Sequence, residues 1–122
     1  MDARQPLYRM KADFFKTLGH PVRIRVLELL SERDQAVSEM LPEVGIEAAN
    51  LSQQLAVLRR AGLVTARREG LSVLYTLTSP QVAQLLATAR TILTGVVADQ
   101  AEWLDGADPV PVGVGASPAS AL

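Results

Sequence analysis

The 122-residue sequence has no cysteine and a single histidine, at position 20. Without thiolates the chain cannot form the thiolate site that soft metals prefer, and it has no thiol nucleophile. The lone histidine belongs to no recognisable constellation with serine and aspartate, and no glycine-rich phosphate loop is present. Its carboxylates are scattered along the chain. We therefore do not predict an enzyme.

Long apolar runs are also missing. The longest apolar stretches are far short of a membrane span, and the first residues lead into charged positions instead of the apolar core of a signal peptide. Zero cysteine is compatible with a reducing compartment, so we expect a cytoplasmic protein with no membrane association. A length of 122 residues, 48% of them hydrophobic, suffices for one core but not two. We predict one domain over residues 1–104 and a disordered tail over residues 105–122.

Net charge is only −1, but it is unevenly distributed. Residues 1–33 carry seven Lys and Arg against four acids, and residues 47–78 carry four against two. Residues 34–46 contain three acids and no base, and residues 79–122 contain four acids and one Arg. Positive charge is thus concentrated in two segments, which favours modest, salt-sensitive binding of nucleic acid.

The segment NLSQQLAVLRRAGLV, residues 50–64, predicts a helix with two unlike faces. One arc of this helix is apolar and holds Ala48, Leu51, Leu55 and Leu58. The other side carries amides and a hydroxyl, with no acid after Glu47. Such groups donate to and accept from base edges and phosphates, so a DNA-binding helix is predicted. A polar surface helix without a partner is the alternative.

We predict groove contacts from one group of this helix and phosphate contacts from another. The first group is Asn50, Ser52, Gln53 and Gln54. The second is Arg59 and Arg60. Arg59 lies near the packed arc, so an internal ion pair is its alternative role.

A β-hairpin is predicted after Gly62, which can take the left-handed conformation that ends a helix. In its second arm Val73, Tyr75 and Leu77 alternate with Leu74 and Thr76, and Gly70 lies where a tight turn needs it. Arg67, Arg68 and Ser72 flank that turn, where they are predicted to reach phosphates. An edge strand kept soluble by charge is the alternative for the two arginines.

Upstream, the sequence predicts a first helix that breaks at Gly19, a second that opens with Pro21, and a short third over residues 37–41. Pro42 and Gly45 are expected to end the third helix before the DNA-binding helix begins near residue 47. Two short helices across a turn complete a helix-turn-helix.

The phrases TLGHPVRIRVLELL, LSQQLAVLRRAGLV and REGLSVLYTL, in this order, resemble the ArsR/SmtB family of winged-helix repressors over roughly residues 14–93. The resemblance implies a homodimer that binds a partly palindromic operator and blocks transcription. It maps the family's recognition helix onto residues 47–61 and its wing onto residues 67–72. The matching positions are Leu18, Pro21, Arg23, Leu51, Ser52, Leu55, Leu58, Arg59, Gly70 and Tyr75.

Both of the family's best-known sensing sites look empty in this sequence. Its thiolate sensors use a helix that corresponds to residues 37–41, which read VSEML here. Its zinc, nickel and cobalt sensors use Asp and His near the start of the last helix and His or Glu further along it. Here those places hold residues 79–82, SPQV, and then Ile92 and Gly95.

His20 lies between Gly19 and Pro21 at a helix entrance, where an imidazole is usually a capping or surface group. The alternative is a weak nickel or zinc site with Asp13 or Glu28, or with an N-terminal amine, because these metals accept imidazole and carboxylate. The spacing gives no support for that site. No other cofactor is predicted.

The last helix, about residues 80–104, carries an apolar stripe wider than one small domain can bury. We predict that it pairs with a second copy, together with apolar residues of the first helix. The alternative is that both helices cover their own core. The predicted interface consists of Tyr8, Met10, Phe14, Phe15, Leu85, Leu86, Ala89, Ile92, Leu93 and Val96.

Together these features predict a mainly α winged helix-turn-helix with about five helices and a two-stranded wing. The predicted function is a homodimeric, sequence-specific DNA-binding regulator, with repression as the favoured role. Two alternatives remain open: a nickel- or zinc-responsive repressor with a non-standard site, and a winged helix that binds a protein instead of DNA. Both DNA-binding hypotheses, the regulator without a metal site and the metal-responsive repressor, are compatible with release from DNA by a small molecule or a protein co-regulator.

Overall fold

The computed structural model describes residues 5–103, and the predicted tail, residues 105–122, lies outside this range. Five helices and three strands occupy the described part. In chain order they are α1 Leu7–Leu18, α2 Pro21–Glu32, β1 Gln35–Ala36, α3 Val37–Val44, α4 Ala48–Arg60, β2 Val64–Glu69, β3 Ser72–Leu77 and α5 Pro80–Trp103. The order confirms the winged helix-turn-helix prediction.

The core is formed by apolar residues from α2, α3 and α4. Leu51, Leu55 and Leu58 of α4 are completely buried, as are Val26 and Leu27 of α2. Met40 of α3 is also completely buried. Burial of a leucine side chain contributes about 1.5–3 kcal/mol, so the three leucines of α4 are a principal anchor for that helix. Ala48, expected in the same arc, is exposed at the first position of α4.

The wing is an antiparallel hairpin that turns at Gly70, as the sequence predicts. Val64 pairs with Leu77 and Glu69 pairs with Ser72, which leaves a two-residue turn. Gly70 occupies the first turn position with φ 62°, a conformation that favours glycine.

The sheet has three strands instead of the predicted two, in the order β1-β3-β2. Strand β1 contains only Gln35 and Ala36, which pair with Tyr75 and Leu74. Two residues are too few to show alternation, so the sequence pattern could not reveal this strand. Gln35 is 3% exposed, and its Nε2 donates to the carbonyl of Leu29 over 2.7 Å. The wing is thereby joined to the end of α2.

Helix α3 is longer than expected, because it continues through Pro42 to Val44. Proline removes one backbone donor, and only Glu43 and Val44 follow it before the helix ends. Gly45, with φ 76°, ends the helix and donates its N–H to the carbonyl of Leu41 over 2.9 Å.

The contacts divide the chain into two units, one ending at Gln84 and the other beginning at Leu85 within α5. By length and composition alone, the stretch Pro80–Asp99 of α5 could cross a membrane. The expectation that no stretch is long enough was therefore wrong. One such helix is weak evidence of a membrane span.

His20 is the N-cap of α2, which confirms the capping role. Its Nδ1 accepts from the backbone N–H of Val22 over 3.2 Å, and Pro21 follows at the first helical position. We expect His20→Ala to lower the free energy of unfolding by about 0.5–2 kcal/mol, since an N-terminal donor of α2 loses its acceptor. Urea denaturation at neutral pH measures this effect. His20→Asn, which supplies a capping oxygen, is the matched control; equal losses in both variants would contradict the capping explanation.

Candidate nucleic-acid interface

The outer face of α4 is polar, uncharged and exposed along its first half. Asn50, Ser52 and Gln53 are exposed, whereas Leu51 between them is completely buried. No carboxylate occurs within α4. Because the leucines hold the opposite side, this face can approach a phosphate-lined groove without burying an acid beside it.

Gln54 differs from the other three predicted groove residues because it is half-buried and already bonded on both sides. Arg23 Nε donates to Gln54 Oε1 over 2.8 Å, and Gln54 Nε2 donates to Asn50 Oδ1 over 3.1 Å. Arg23 Nη1 also donates to the carbonyl of Thr17 over 3.1 Å. Gln54 therefore links the outer face of α4 to the junction between α1 and α2.

Arg59 and Arg60 occupy the last turn of α4, and both are exposed. Positive charge there is favourable, because the carbonyl end of a helix carries partial negative charge. Over the described residues neither arginine has an ion-pair partner, so the internal pair suggested for Arg59 is not seen.

The two wing arginines have different surroundings. Arg67 Nη1 lies 2.9 Å from Asp34 Oδ2 and donates to Thr76 Oγ1 over 2.9 Å, while its Nε lies 3.2 Å from Glu69 Oε2. Arg68 is exposed, near the turn. The predicted phosphate contact of Arg67 would require its side chain to leave part of this network, whereas Arg68 needs no such change.

The predicted turn residue Ser72 is exposed at the start of β3. It pairs with Glu69 across the hairpin. An exposed hydroxyl at that position can donate to a phosphate oxygen, although the neighbouring Glu69 places one negative charge beside it.

Apolar side chains are exposed on α1 and on α5. On α1, Tyr8 is 70% exposed, Met10 52% and Phe15 55%, and Phe14 is half-buried. On α5, Ile92 is 54% exposed. The other predicted interface residues of α5 are half-buried: Leu85, Leu86, Ala89, Leu93 and Val96.

A metal site receives no geometric support from residues 5–103, among which no group of three or more His, Asp or Glu side chains is placed to hold an ion. The Nδ1 atom of His20 is already occupied by the helix cap. Only Nε2 of that ring remains for another partner.

The geometry has clear counterparts among known proteins. A family model described as bacterial regulatory protein, arsR family, matches residues 20–66. The HTH-type transcriptional regulator Rv0081 of Mycobacterium tuberculosis is 56% identical over 102 residues, which is 83% of this chain and 90% of the relative. The chain belongs to the ArsR family. It is a transcriptional regulator with a winged helix-turn-helix DNA-binding fold.

Solved structures agree with this assignment to the ArsR family. The crystal structure of Rv0081 has a TM-score of 0.73 and 57% identity, covering 80% of this chain and 98% of that one. The repressor BigR from Xylella fastidiosa has a TM-score of 0.66 and 40% identity, covering 70% and 87%. The homodimeric DNA-binding domain of Mb0332 from Mycobacterium bovis has a TM-score of 0.64 and 29% identity, covering 75% and 89%.

Sequence reasoning missed two side chains that support the site of this ArsR-family chain. In the sequence Arg23 is only a match to the family phrase, and Asp34 is only one of three acids in residues 34–46. Both act on residues more than thirty positions away, since their partners are Gln54 and Arg67. No local pattern reports such a contact.

The hydrogen bond from Arg67 lowers the pKa of Asp34 below its ordinary value. A lowered folded-state pKa stabilises the fold above the pKa of the unfolded state, and this stabilisation is lost as pH falls through the folded-state pKa. We expect Arg67→Met to raise the pKa of Asp34, which a carboxyl NMR titration measures. The stability of that variant should also vary less with pH in the acid range. Arg68→Met is the control, and an equal rise there would contradict a specific Arg67 effect.

Proposed function

We propose that the protein binds a partly palindromic DNA operator as a homodimer and represses transcription. The observation that carries the proposal is the division of α4 into a completely buried leucine face and an exposed face without carboxylates. Such a helix can insert into the major groove while the body of the domain holds it rigidly. Repression follows if the bound dimer covers sequence that the transcription machinery needs.

Within this proposal the exposed side chains divide by role. Asn50, Ser52 and Gln53 face base edges or nearby phosphates, and Gln54 acts behind them through Asn50. Arg59, Arg60 and Arg68 supply positive charge toward the phosphate backbone, together with the hydroxyl of Ser72.

The exposed apolar residues of α1 and α5 support the dimer. Large side chains more than half exposed on both helices are costly in water and favour a partner surface. A second copy is the partner we propose, because two recognition helices about one helical turn of DNA apart match a two-fold operator. The homodimeric state of Mb0332 is consistent with this choice.

Binding to DNA from upstream of the protein's own gene, measured by fluorescence anisotropy at several salt concentrations, tests the proposal. We expect Arg60→Ala and Arg68→Ala each to weaken binding. The slope of log affinity against log salt is negative, and its magnitude should fall by about 0.9 for each phosphate interaction that a substitution removes. Arg90→Ala, which removes an exposed arginine of α5, should leave the slope unchanged. No binding by the unaltered protein would favour the protein-binding winged helix.

The same titration with nickel, zinc and a chelator tests for an effector metal. We expect none of them to change the affinity, because residues 5–103 hold no ligand cluster. A metal-dependent change that His20→Ala abolishes would instead establish the weak site with nearby acids.

Dimer formation is tested by Ile92→Glu. We expect this change to shift the protein from dimer to monomer in sedimentation velocity and to weaken DNA binding, because a carboxylate would have to be buried in the interface. Thr91→Glu is the matched control, since Thr91 is also exposed and lies about 100° away around the helix axis. A dimer that persists in Ile92→Glu, or an equal loss in Thr91→Glu, would contradict the proposed interface.

A further inference from the structure

Three polar side chains form a continuous relay from the junction of α1 and α2 to the outer face of α4. Arg23 Nε lies 2.8 Å from Gln54 Oε1, and Gln54 Nε2 lies 3.1 Å from Asn50 Oδ1. Arg23 is itself fixed by the carbonyl of Thr17 at 3.1 Å. The first two members are half-buried and the last, Asn50, is exposed. The relay therefore ends at the surface proposed to enter the groove.

The chemistry of arginine sets the direction of this relay. A guanidinium has only donors, so the Gln54 atom that faces Arg23 must be the carbonyl oxygen. The amide nitrogen of Gln54 must then face Asn50, and it donates to the carbonyl oxygen of Asn50. If either amide were reversed, two donors or two acceptors would face each other and no hydrogen bond could form between them. One of the two lone pairs of the Asn50 carbonyl thus accepts from within the domain, whereas its N–H groups make no hydrogen bond among the described residues.

We propose that Arg23 is a positioning residue that determines base preference by fixing Asn50 as a hydrogen-bond donor toward the major groove. This inference rests on the proposed function, since it assigns specificity to the same surface. A free asparagine pairs with adenine by donating to N7 and accepting from N6. With its carbonyl turned toward Gln54, Asn50 presents its N–H groups more readily than its acceptor, which disfavours that pair. It suits the acceptor atoms of guanine, O6 and N7, or O4 of thymine.

Selection from a library of randomised DNA duplexes tests this inference, followed by anisotropy measurements on the selected duplex and its single-base-pair variants. Asn50→Ala identifies the position that Asn50 contacts, as the one whose preference disappears. We expect the unaltered protein to select guanine or thymine there. The preference over adenine should be about tenfold, the discrimination typical of one specific contact.

Arg23→Met removes the donor but keeps an apolar stem, and it should free Gln54 and Asn50 to reorient. We expect the preference at the Asn50 position to shift toward adenine or to flatten. Arg23→Lys retains a donor and should keep the original preference. Arg25→Met is the matched control, because Arg25 lies in the same helix and pairs only with the exposed acids Glu28 and Glu43 among the described residues.

Gln54→Glu provides a second, independent test that leaves Arg23 with an acceptor. A carboxylate cannot donate to Asn50, so Asn50 would turn its N–H groups inward and its carbonyl outward. We expect the preferred base to change to one with a major-groove donor, cytosine or adenine. The added negative charge should weaken binding to all duplexes alike, which does not alter the base preference.

The outcomes separate this inference from the proposed function. If the unaltered protein selects no sequence, the proposed function fails and this inference fails with it. If it selects a sequence but prefers adenine at the Asn50 position, or if Asn50→Ala changes no position, only the inference is overturned. The same holds if Arg23→Met and Gln54→Glu both keep the original base. Urea denaturation establishes which variants are folded; if Arg23→Met is not, Gln54→Glu decides.

Discussion

Complete burial of Leu51, Leu55 and Leu58 is the constraint on which the rest of this domain depends. These side chains repeat at helical spacing, so their burial fixes both the position of α4 and its rotation about its own axis. The polar face must then point away from the core. A rotation of α4 by one residue would expose a leucine and bury an amide, and both changes cost free energy. The exposed face is therefore a consequence of packing on the other side.

Polar contacts join other elements to one another and to the helix that the leucines hold in place. Arg23 joins α4 to the end of α1, and Arg67 joins the wing to Asp34 beside the short strand β1. Both arginines are bonded within the protein, whereas Arg60 and Arg68 have no ion-pair partner among residues 5–103. Some arginines thus join elements of the fold, and others contribute positive charge to the surface. Charge counting along the sequence cannot distinguish the two uses.

Local rules predicted the parts of the structure that local forces determine. The start of α2 at Pro21, the leucine face of α4 and the hairpin turn at Gly70 all follow from backbone preferences and periodicity. The passage of α3 through Pro42 could not be predicted, because proline removes only one backbone donor and local preference alone does not determine whether the helix continues past it. The contacts of Arg23 and Arg67 could not be predicted either. An arginine can donate to many acceptors, and the sequence pattern does not show which of them it will meet. Only the folded chain selects among them.

The attachment of the wing by β1 also bears on the entropy of association. A hairpin held only at its base would lose conformational freedom on contact with a ligand, and that loss would oppose binding. Here Gln35 and Ala36 pair with β3, and Arg67 bridges to Asp34 beyond the hairpin. Much of the ordering cost is therefore met during folding. The wing is a preorganised surface, and in the proposed function the two-residue strand holds it in place for contact with DNA.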